Sequence, residues 1–530
     1  MMVGCARIPR PPVSQRAGVE QTEQGSRPPA TLVASFDGLG VGLQGPQGRW
    51  EARNPSDNSL AVGREYVFQI VNTRMAIFRK NGEIVYGPVA TNTLFKGFGG
   101  ACEAHNNGDA VVRYDQLADR WLIVMPVFTR AKERPDQPPV WKASEHAYVS
   151  PPGVPDQPRA AAPLFVPPAV PPAPPERPDT TPRPRPLRPP EEKGPYSVCY
   201  AISTTGDPLG SYYRYEFLRP LFPDYPRPAV WPDGYYVPTS TGDDVIQKHT
   251  CAADRRHMLL GEAATEQCMI VDGVNFLNNV DLDGKALPPA GAPNVVLAAG
   301  GTQLHGIFAD DGIYAWQFSV DWTDPANSRL TGPEKIAVAP YHYLCDGQLT
   351  TCVRQPGTDQ HLDAQGDKLM ARVVYRNVNG RESIVAVHSI NTAVFGGGVR
   401  WYEFTISPDR SLRLRQQGTY APDGFYRWMA SPAIDSQGNI GIGYSFGGTP
   451  NFAGQRFAGR LAGDPLGVLT LHEAVLAEGQ AQQINTMRWE DYSQTAIDPA
   501  DDCTIWYVGD YLKKDAATYS TRIGAFRLCR

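Results

Sequence analysis

Polar stretches that give way to short apolar strands recur along this chain, and the clearest instance lies near its C-terminus. Arg488-Trp489-Glu490-Asp491-Tyr492-Ser493-Gln494 leads into Thr495-Ala496-Ile497, Asp498-Pro499 makes a tight turn, and Thr504-Ile505-Trp506-Tyr507-Val508 reads as an aromatic strand. Weaker copies occupy Asn54 to Gly63, Asn107 to Asp115, Asp224 to Gly234, Leu304 to Gly312, His361 to Asp363 with Lys368 to Tyr375, and Arg427 to Asn439. Alternating runs lie between them. Tyr66 to Val71 and Arg74 to Arg79 read as strands, and Asn81-Gly82 turns the chain into Ile84 to Tyr86, a strong short-range hairpin signal. No long stretch shows helical periodicity, and no apolar run reaches the roughly 20 residues that a membrane-spanning helix needs.

Seven copies, recurring at intervals of roughly 50 to 77 residues once an insertion is discounted, predict an all-β fold. The favoured architecture is a seven-bladed β-propeller over residues 51–530, with six or eight blades as neighbouring counts. Radial repetition buries both faces of every sheet and leaves only short edges exposed. A two-layer sandwich is the alternative, but it does not require one phrase to return at blade-like intervals. Residues 1–50 lack periodicity and are rich in Gly, Pro, Gln and Arg, which predicts a disordered arm or the remnant of an export signal. A Pro-rich insertion over 133–194 interrupts an early blade and is expected to project as an extended spacer.

The 51 Gly, 50 Pro, 24 Tyr, 19 Phe and 10 Trp suit many short strands and turns better than helices. A net charge of -5 argues against a nucleic-acid partner, which requires a concentrated basic face. A monomer is expected. Eight of the nine cysteines fall into neighbours: Cys102 with Cys199, Cys251 with Cys268, Cys345 with Cys352, and Cys503 with Cys529. Disulfides in that pattern predict an oxidising compartment, hence an extracellular or cell-surface protein. Eight cysteines allow about 105 connectivities, so other pairings stay open. Val3-Gly4-Cys5 resembles the tail of a bacterial lipoprotein signal and would put a lipid anchor on Cys5 if the true start lay upstream; a chance cysteine is the alternative.

The phrases around Asp57 to Val62, Phe98 to Glu103, Tyr114 to Trp121, Ser203 to Pro208, Gln417 to Pro422 and Trp489 to Asp502 resemble a family of large secreted bacterial proteins. The resemblance implies a β-propeller, and it carries no established activity. The chain departs from that family in its Pro-rich insertion and in lacking a signal peptide. Ala433 to Asn439 and Ala496 to Pro499 also resemble the Asp-box turns of sialidase-like propellers, which are structural and imply no hydrolysis.

In a propeller the residues just ahead of each innermost strand ring one mouth of the channel. Those residues are Asp57 and Asn58, Asn107 and Asp109, Asp224 and Tyr225, His305, His361 and Asp363, Arg427 and Trp428, and Trp489, Glu490, Asp491 and Tyr492. Convergent polar and aromatic groups make a default binding site. The leading function is binding of a glycan or cell-surface polymer, with calcium as an open cofactor because several carboxylates could supply oxygen ligands. A carbohydrate-active hydrolase or lyase using Glu490, Asp491, Asp57 and Asp109 is the alternative, and a structural surface protein is the third. Two carboxylates about 5 to 9.5 Å apart across an open pocket would favour glycosidase chemistry; carboxylates tied to backbone amides would favour binding. Gly443-Tyr444-Ser445-Phe446-Gly447 fits the nucleophile-elbow pattern, but no helix pattern follows it.

Overall fold

The computed structural model describes residues 18–130, 140–142, 147–153, 195–219, 221–239, 248–304, 306–347 and 351–529. These residues form an all-β protein with only short helical turns. Among them, antiparallel pairing groups the strands into seven four-stranded units, the fourth and fifth joined through a parallel pairing of their first strands and the third lengthened by two further strands. The first unit is typical: Ser59–Val62, Tyr66–Val71, Arg74–Arg79 and Ile84–Ala90 follow one another in space as in sequence. The first strands of the later units are Val111–Asp115, Ala229–Val230, Asn278–Leu282, Val373–Val378, Tyr426–Ile434 and Gln494–Ile497. Each first strand neighbours the next, and the seventh returns to the first, so the seven make a closed cycle.

Side-chain alternation explains why such sheets stack. Successive residues of a strand point to opposite faces, and here both faces are apolar. In the strand Arg74–Arg79, Met75 and Ile77 pack with Trp121 and Ile123 of the second unit, whereas Ala76 and Phe78 pack with Trp506 and Val508 of the seventh. In the second unit, Leu122 and Val124 in turn face Tyr235 and Ala253 of the third. The core is thus a series of layers between units.

The seventh unit borrows its outer strand. Thr31–Asp37 pairs antiparallel with Ser520–Arg527. Upstream, Glu20–Gln21 pairs in parallel with Thr419–Tyr420 at the outer edge of the fifth unit, and Arg27 bridges to Leu471 at that of the sixth. Residues 20–37 therefore run across three outer edges, and the expected loose arm does not hold over the described part of 1–50. Its alternation is weak because Thr31, Leu32 and Val33 are all exposed, while Phe36 finds Phe78 and Trp506.

Two further expectations change. The copy placed at 304–312 is a connection inside the fourth unit, whose first strand is Asn278–Leu282. Of the copy at His361 to Asp363 with Lys368 to Tyr375, the first part closes a small hairpin, Thr351–Val353 with Leu362–Asp363, and only the second part enters a unit, at the fifth unit's first strand Val373–Val378. Part of the insertion joins the body as well: Val140–Lys142 and Ala147–Gly153 form a hairpin that extends the third unit alongside Ala264–Val271 and covers an edge that would otherwise be bare. The rest of the insertion, and Cys5, lie outside the described residues. All four expected cystine pairs form, Cys102–Cys199, Cys251–Cys268, Cys345–Cys352 and Cys503–Cys529. No helix among the described residues is long and apolar enough to cross a membrane.

Removing residues 1–37 strips Ser520–Arg527 of its outer partner. The shortened chain is expected to melt at least about 5 °C below the full chain in differential scanning fluorimetry; an unchanged Tm would refute the closing role of Thr31–Asp37.

Candidate functional site

The residues ahead of the first strands converge because their backbones turn sharply there. Asp57, Asp109, Tyr225, Glu490 and Asp491 all have φ between 49° and 67°. Aspartate tolerates this left-handed region better than most side chains, and tyrosine does so poorly. Hydrogen bonds between units hold the turns. The Asp57 amide donates to the Glu490 carbonyl at 2.7 Å. The Asp109 amide donates to Asp57 Oδ2 at 3.3 Å, and the Tyr225 amide donates to Asp109 Oδ2 at 3.3 Å. The Tyr225 hydroxyl then donates to the Asp491 carbonyl at 2.7 Å. Units seven, one, two and three are stitched in this order.

Beside this ring lies a cavity of about 180 Å³ lined by Asp109, Asp224, Asp491, Tyr225, Phe276, Gln365, Lys368 and Arg488. Tyr225 stacks on Tyr492 with centroids 4.2 Å apart and meets Phe276 edge-on at 5.4 Å. The Lys368 ammonium lies 4.5 Å from the Phe276 ring centre and ion-pairs with Asp367 at 2.9 Å. Arg488 spans Asp363, at 3.3 Å, and Asp491. Gln365 donates to Asp491 Oδ1 at 2.9 Å. The lining thus combines carboxylates, two aromatic rings and two cations, each cation already paired with a carboxylate.

Charge is crowded on the acidic wall. Burial, then the neighbouring charges of Asp109 and Asp491, raises the Asp57 carboxyl well above the usual carboxylate range. Asp109 is raised likewise by burial, then by Asp224 and Asp491. Asp363 is pushed up to about 6 by burial and by Asp491, with Arg488 opposing. Arg488 is held above its ordinary value; burial works against its charge, but Asp491 and Asp363 outweigh it.

Of the expected site residues, Asp57, Asp109, Asp224, Tyr225, Asp363, Asp491 and Tyr492 gather here. Others do not. Glu490 turns inward and accepts bonds from Ser445 Oγ and Gln455 Nε2, both at 2.9 Å, and from the Asp510 amide. Asn58 is buried beside it, donating to Ser56 Oγ and Asp510 Oδ1. Trp428 and Trp489 are fully buried core residues 6.1 Å apart, so neither offers a stacking face to a ligand. Arg427 is locked between Asp423, by paired bonds of 2.8 and 2.9 Å, and Glu473 at 2.7 Å. It starts a strand, but that strand breaks at Met429, φ 53°, so Arg427 and Trp428 lie on the outer side of the break. Asn107 accepts from the Phe128 amide at 3.0 Å. His361 does not line the cavity, and His305 lies outside the described residues. The elbow-like Ser445 sits in mid-strand Ile440–Gly448, bound to Glu490, Gln455 and Trp489. The turn aspartates Asp435 and Asp498 accept amides of their own turns, as Asp-box-type turns should.

Sequence reading missed Phe276, Gln365, Lys368 and Arg488. Phe276 precedes the first strand of the fourth unit, and its signal was the polar-to-strand change at Asn275-Phe276-Leu277-Asn278, obscured because no Ala-Ile or Ala-Val follows. The other end of the first strands is closed. Arg372 bonds Asp281 at 2.8 Å and Asp283, while Arg113 reaches Asp281 at 3.3 Å, leaving a void of only about 20 Å³.

No protein-family model and no curated protein matches the sequence. Among solved structures the chain is similar to a protein of unknown function from Dyadobacter fermentans DSM 18053, at 9% identity and TM-score 0.32, over 94% of this chain and 100% of the other. It is also similar to an ulvan lyase, of polysaccharide lyase family PL25, bound to -[GlcA(1-4)Rha3S]-, at 10% identity and TM-score 0.33, over 96% and 94% of the two chains. A second structure of PL25 ulvan lyase gives 11% identity and TM-score 0.26 over 86% and 80%. Scores this low fix neither fold nor chemistry, so the functional reading has to come from this chain's own residues.

The buried Glu490 and Asp510 pair supplies a test of the electrostatics. Asp510 is pushed up to about 7 by burial, and Glu490 is raised by burial and then by Asp510. A folded-state value above the unfolded one favours the protonated form, so this stabilisation is complete below about pH 4 and lost as pH rises through about 7. Asp510→Asn cannot ionise, and its Tm is expected to fall less than the wild type's between about pH 5 and 8; parallel Tm profiles would contradict the assignment.

Proposed function

We propose that this chain is an exported seven-bladed β-propeller, acting as a monomer, whose acidic mouth binds one residue of an extracellular glycan or cell-surface polymer. The closed cycle of seven first strands supports the radial arrangement. Four disulfides support an oxidising destination. The binding reading is carried by one observation: Asp57 and Asp109, two of the carboxylates a hydrolase would need, accept backbone amides from neighbouring units and so build the mouth. A third, Glu490, is withdrawn into the interior. This favours a binding module over hydrolysis or elimination.

The remaining lining suits a polyol. Asp109, Asp224 and Asp491 offer acceptors for hydroxyl groups, Gln365, Lys368 and Arg488 offer donors, and Phe276 offers an apolar face. At about 180 Å³ the cavity is below the roughly 300–1,000 Å³ typical of small-molecule pockets. It would therefore take a single sugar ring or one substituent, with the polymer running across the mouth.

A glycan array with purified full-length protein is expected to give specific polysaccharide hits. Phe276→Leu keeps apolar bulk but removes the ring face, and should weaken the best hit by about tenfold, the order expected for losing one aromatic contact, with Tm little changed. Binding that survives Phe276→Leu intact would place the ligand elsewhere, and an empty array would count against glycan recognition.

A further inference from the structure

A cavity of about 180 Å³ leaves the rest of a bound polymer to lie on the surface around it. Exposed apolar side chains stand there in two connections. Met487, 39% exposed, immediately precedes the cavity residue Arg488, and Ile484, 60% exposed, lies three residues earlier. The second connection joins the strands Arg381–Asn391 and Gly397–Ile406 of the fifth unit. Val373–Val378 runs away from the Lys368 end and its antiparallel partner Arg381–Asn391 returns, so the turn that follows stands at the cavity end. It carries Val394 and Phe395, the latter 85% exposed.

Both connections are braced. In the turn, the Thr392 amide donates to the Gly396 carbonyl and the Gly396 amide to Thr392 Oγ1, both at 3.1 Å, while the Ala393 amide donates to the Glu20 carboxylate at 3.1 Å. Phe395 is thereby held at φ 62°, a conformation that a bulky side chain adopts rarely and only where its surroundings impose it. In the other connection the Gln483 amide donates to Gln355 Oε1 at 2.7 Å, and Gln355 Nε2 donates back to the Gln483 carbonyl at 2.9 Å. One small hairpin supports both. Gln355 follows its strand Thr351–Val353, and Cys352 in that strand is bonded to Cys345, whose amide donates to Asn391 Oδ1 at 3.3 Å. The two apolar tips are thus fixed to a common base that begins at the cavity wall.

We propose that the bound polymer leaves the cavity over Met487 and Ile484 toward Val394 and Phe395, and that it is an uncharged polysaccharide bearing acetyl groups. The inference rests on the mouth being a glycan site, and it names the class of glycan. Side chains of this kind gain by covering carbon surface that water would otherwise meet. Separate tips of Ile, Met and Val are small beside a whole sugar face but match the methyl of an acetyl group. Charge points the same way. Asp346 and Asp359 are exposed beside the hairpin with Arg354, and three carboxylates line the cavity, where Lys368 and Arg488 are already paired. A uronate or sulfate chain would meet more repulsion than attraction there.

Native gels cast with polysaccharide test this on the full-length protein. Acetylated glucomannan and acetylated xylan should retard it, their alkali-deacetylated forms should bind about tenfold more weakly, and polygalacturonate should not retard it. Phe395→Asn combined with Ile484→Ser alters two exposed side chains, and asparagine tolerates the left-handed backbone, so Tm should move by no more than about 1 °C. That double variant should bind the acetylated polymers about tenfold more weakly, level with the deacetylated ones, whereas Phe276→Leu should weaken binding of both forms. Wild-type retardation of the double variant, or equal retardation by acetylated and deacetylated polymer, would overturn the path while a weakened Phe276→Leu protein left the mouth reading standing. Weakening in the double variant but not in Phe276→Leu would sink the mouth reading, and with it a path that starts in the cavity. No retardation by either acetylated polymer, or stronger retardation by polygalacturonate, would refute the acetylated, uncharged class.

Discussion

The structure depends on satisfying peptide groups where seven sheets meet. A strand that begins next to six others cannot turn its leading amides to water, and each such group left unpaired costs on the order of 1–3 kcal/mol. Asp57 and Asp109 answer this by accepting the amide at the turn of the next unit, and the left-handed turns at Asp57, Asp109 and Tyr225 aim those amides. Strained backbone of this kind persists only where its surroundings hold it. Here the stacked Tyr225 and Tyr492 rings and the Tyr225 bond to the Asp491 carbonyl do so. The same carboxylates that complete the backbone have a second oxygen to offer, which is why the architecture and the candidate site coincide.

The two ends of the central strands solve burial differently. At one end Arg113 and Arg372 stand against Asp281 and Asp283, so charge is matched and almost no space remains. Breaking one member of such a buried set is far more damaging than the set is stabilising, and it serves as a plug. At the other end Asp57, Asp109 and Asp491 crowd one another, Arg488 offsets only part of that charge, and a cavity opens.

The repeat phrase made much of the architecture legible. Strands at Tyr66–Val71 and Arg74–Arg79, the four cystine pairs and the gathering of Asp57, Asp109, Asp224 and Asp491 follow from alternation, cysteine order and position before a strand. What stayed hidden depends on pairing at a distance. Thr31–Asp37 exposes half its apolar residues and becomes a strand only beside Ser520–Arg527. Lys368 and Arg488 reach the cavity from connecting segments, and Glu490 differs from Asp491 by one residue yet points to the interior. Burial of Trp428 and Trp489 likewise could not be told from a ligand-facing position by residue type alone.

Because Thr31–Asp37 supplies the outer strand of the seventh unit, an early segment of this sequence waits for a late one. At about 5–20 residues per second of synthesis, Thr31–Asp37 stays without its partner for roughly half a minute to a minute and a half, an unpaired edge of the kind that invites wrong association. Two neighbouring copies could exchange these segments once Ser520–Arg527 of either has been made. Crowding of ribosomes, rather than the stability of the folded chain, would then decide how much of it pairs Thr31–Asp37 with Ser520–Arg527 of the same copy.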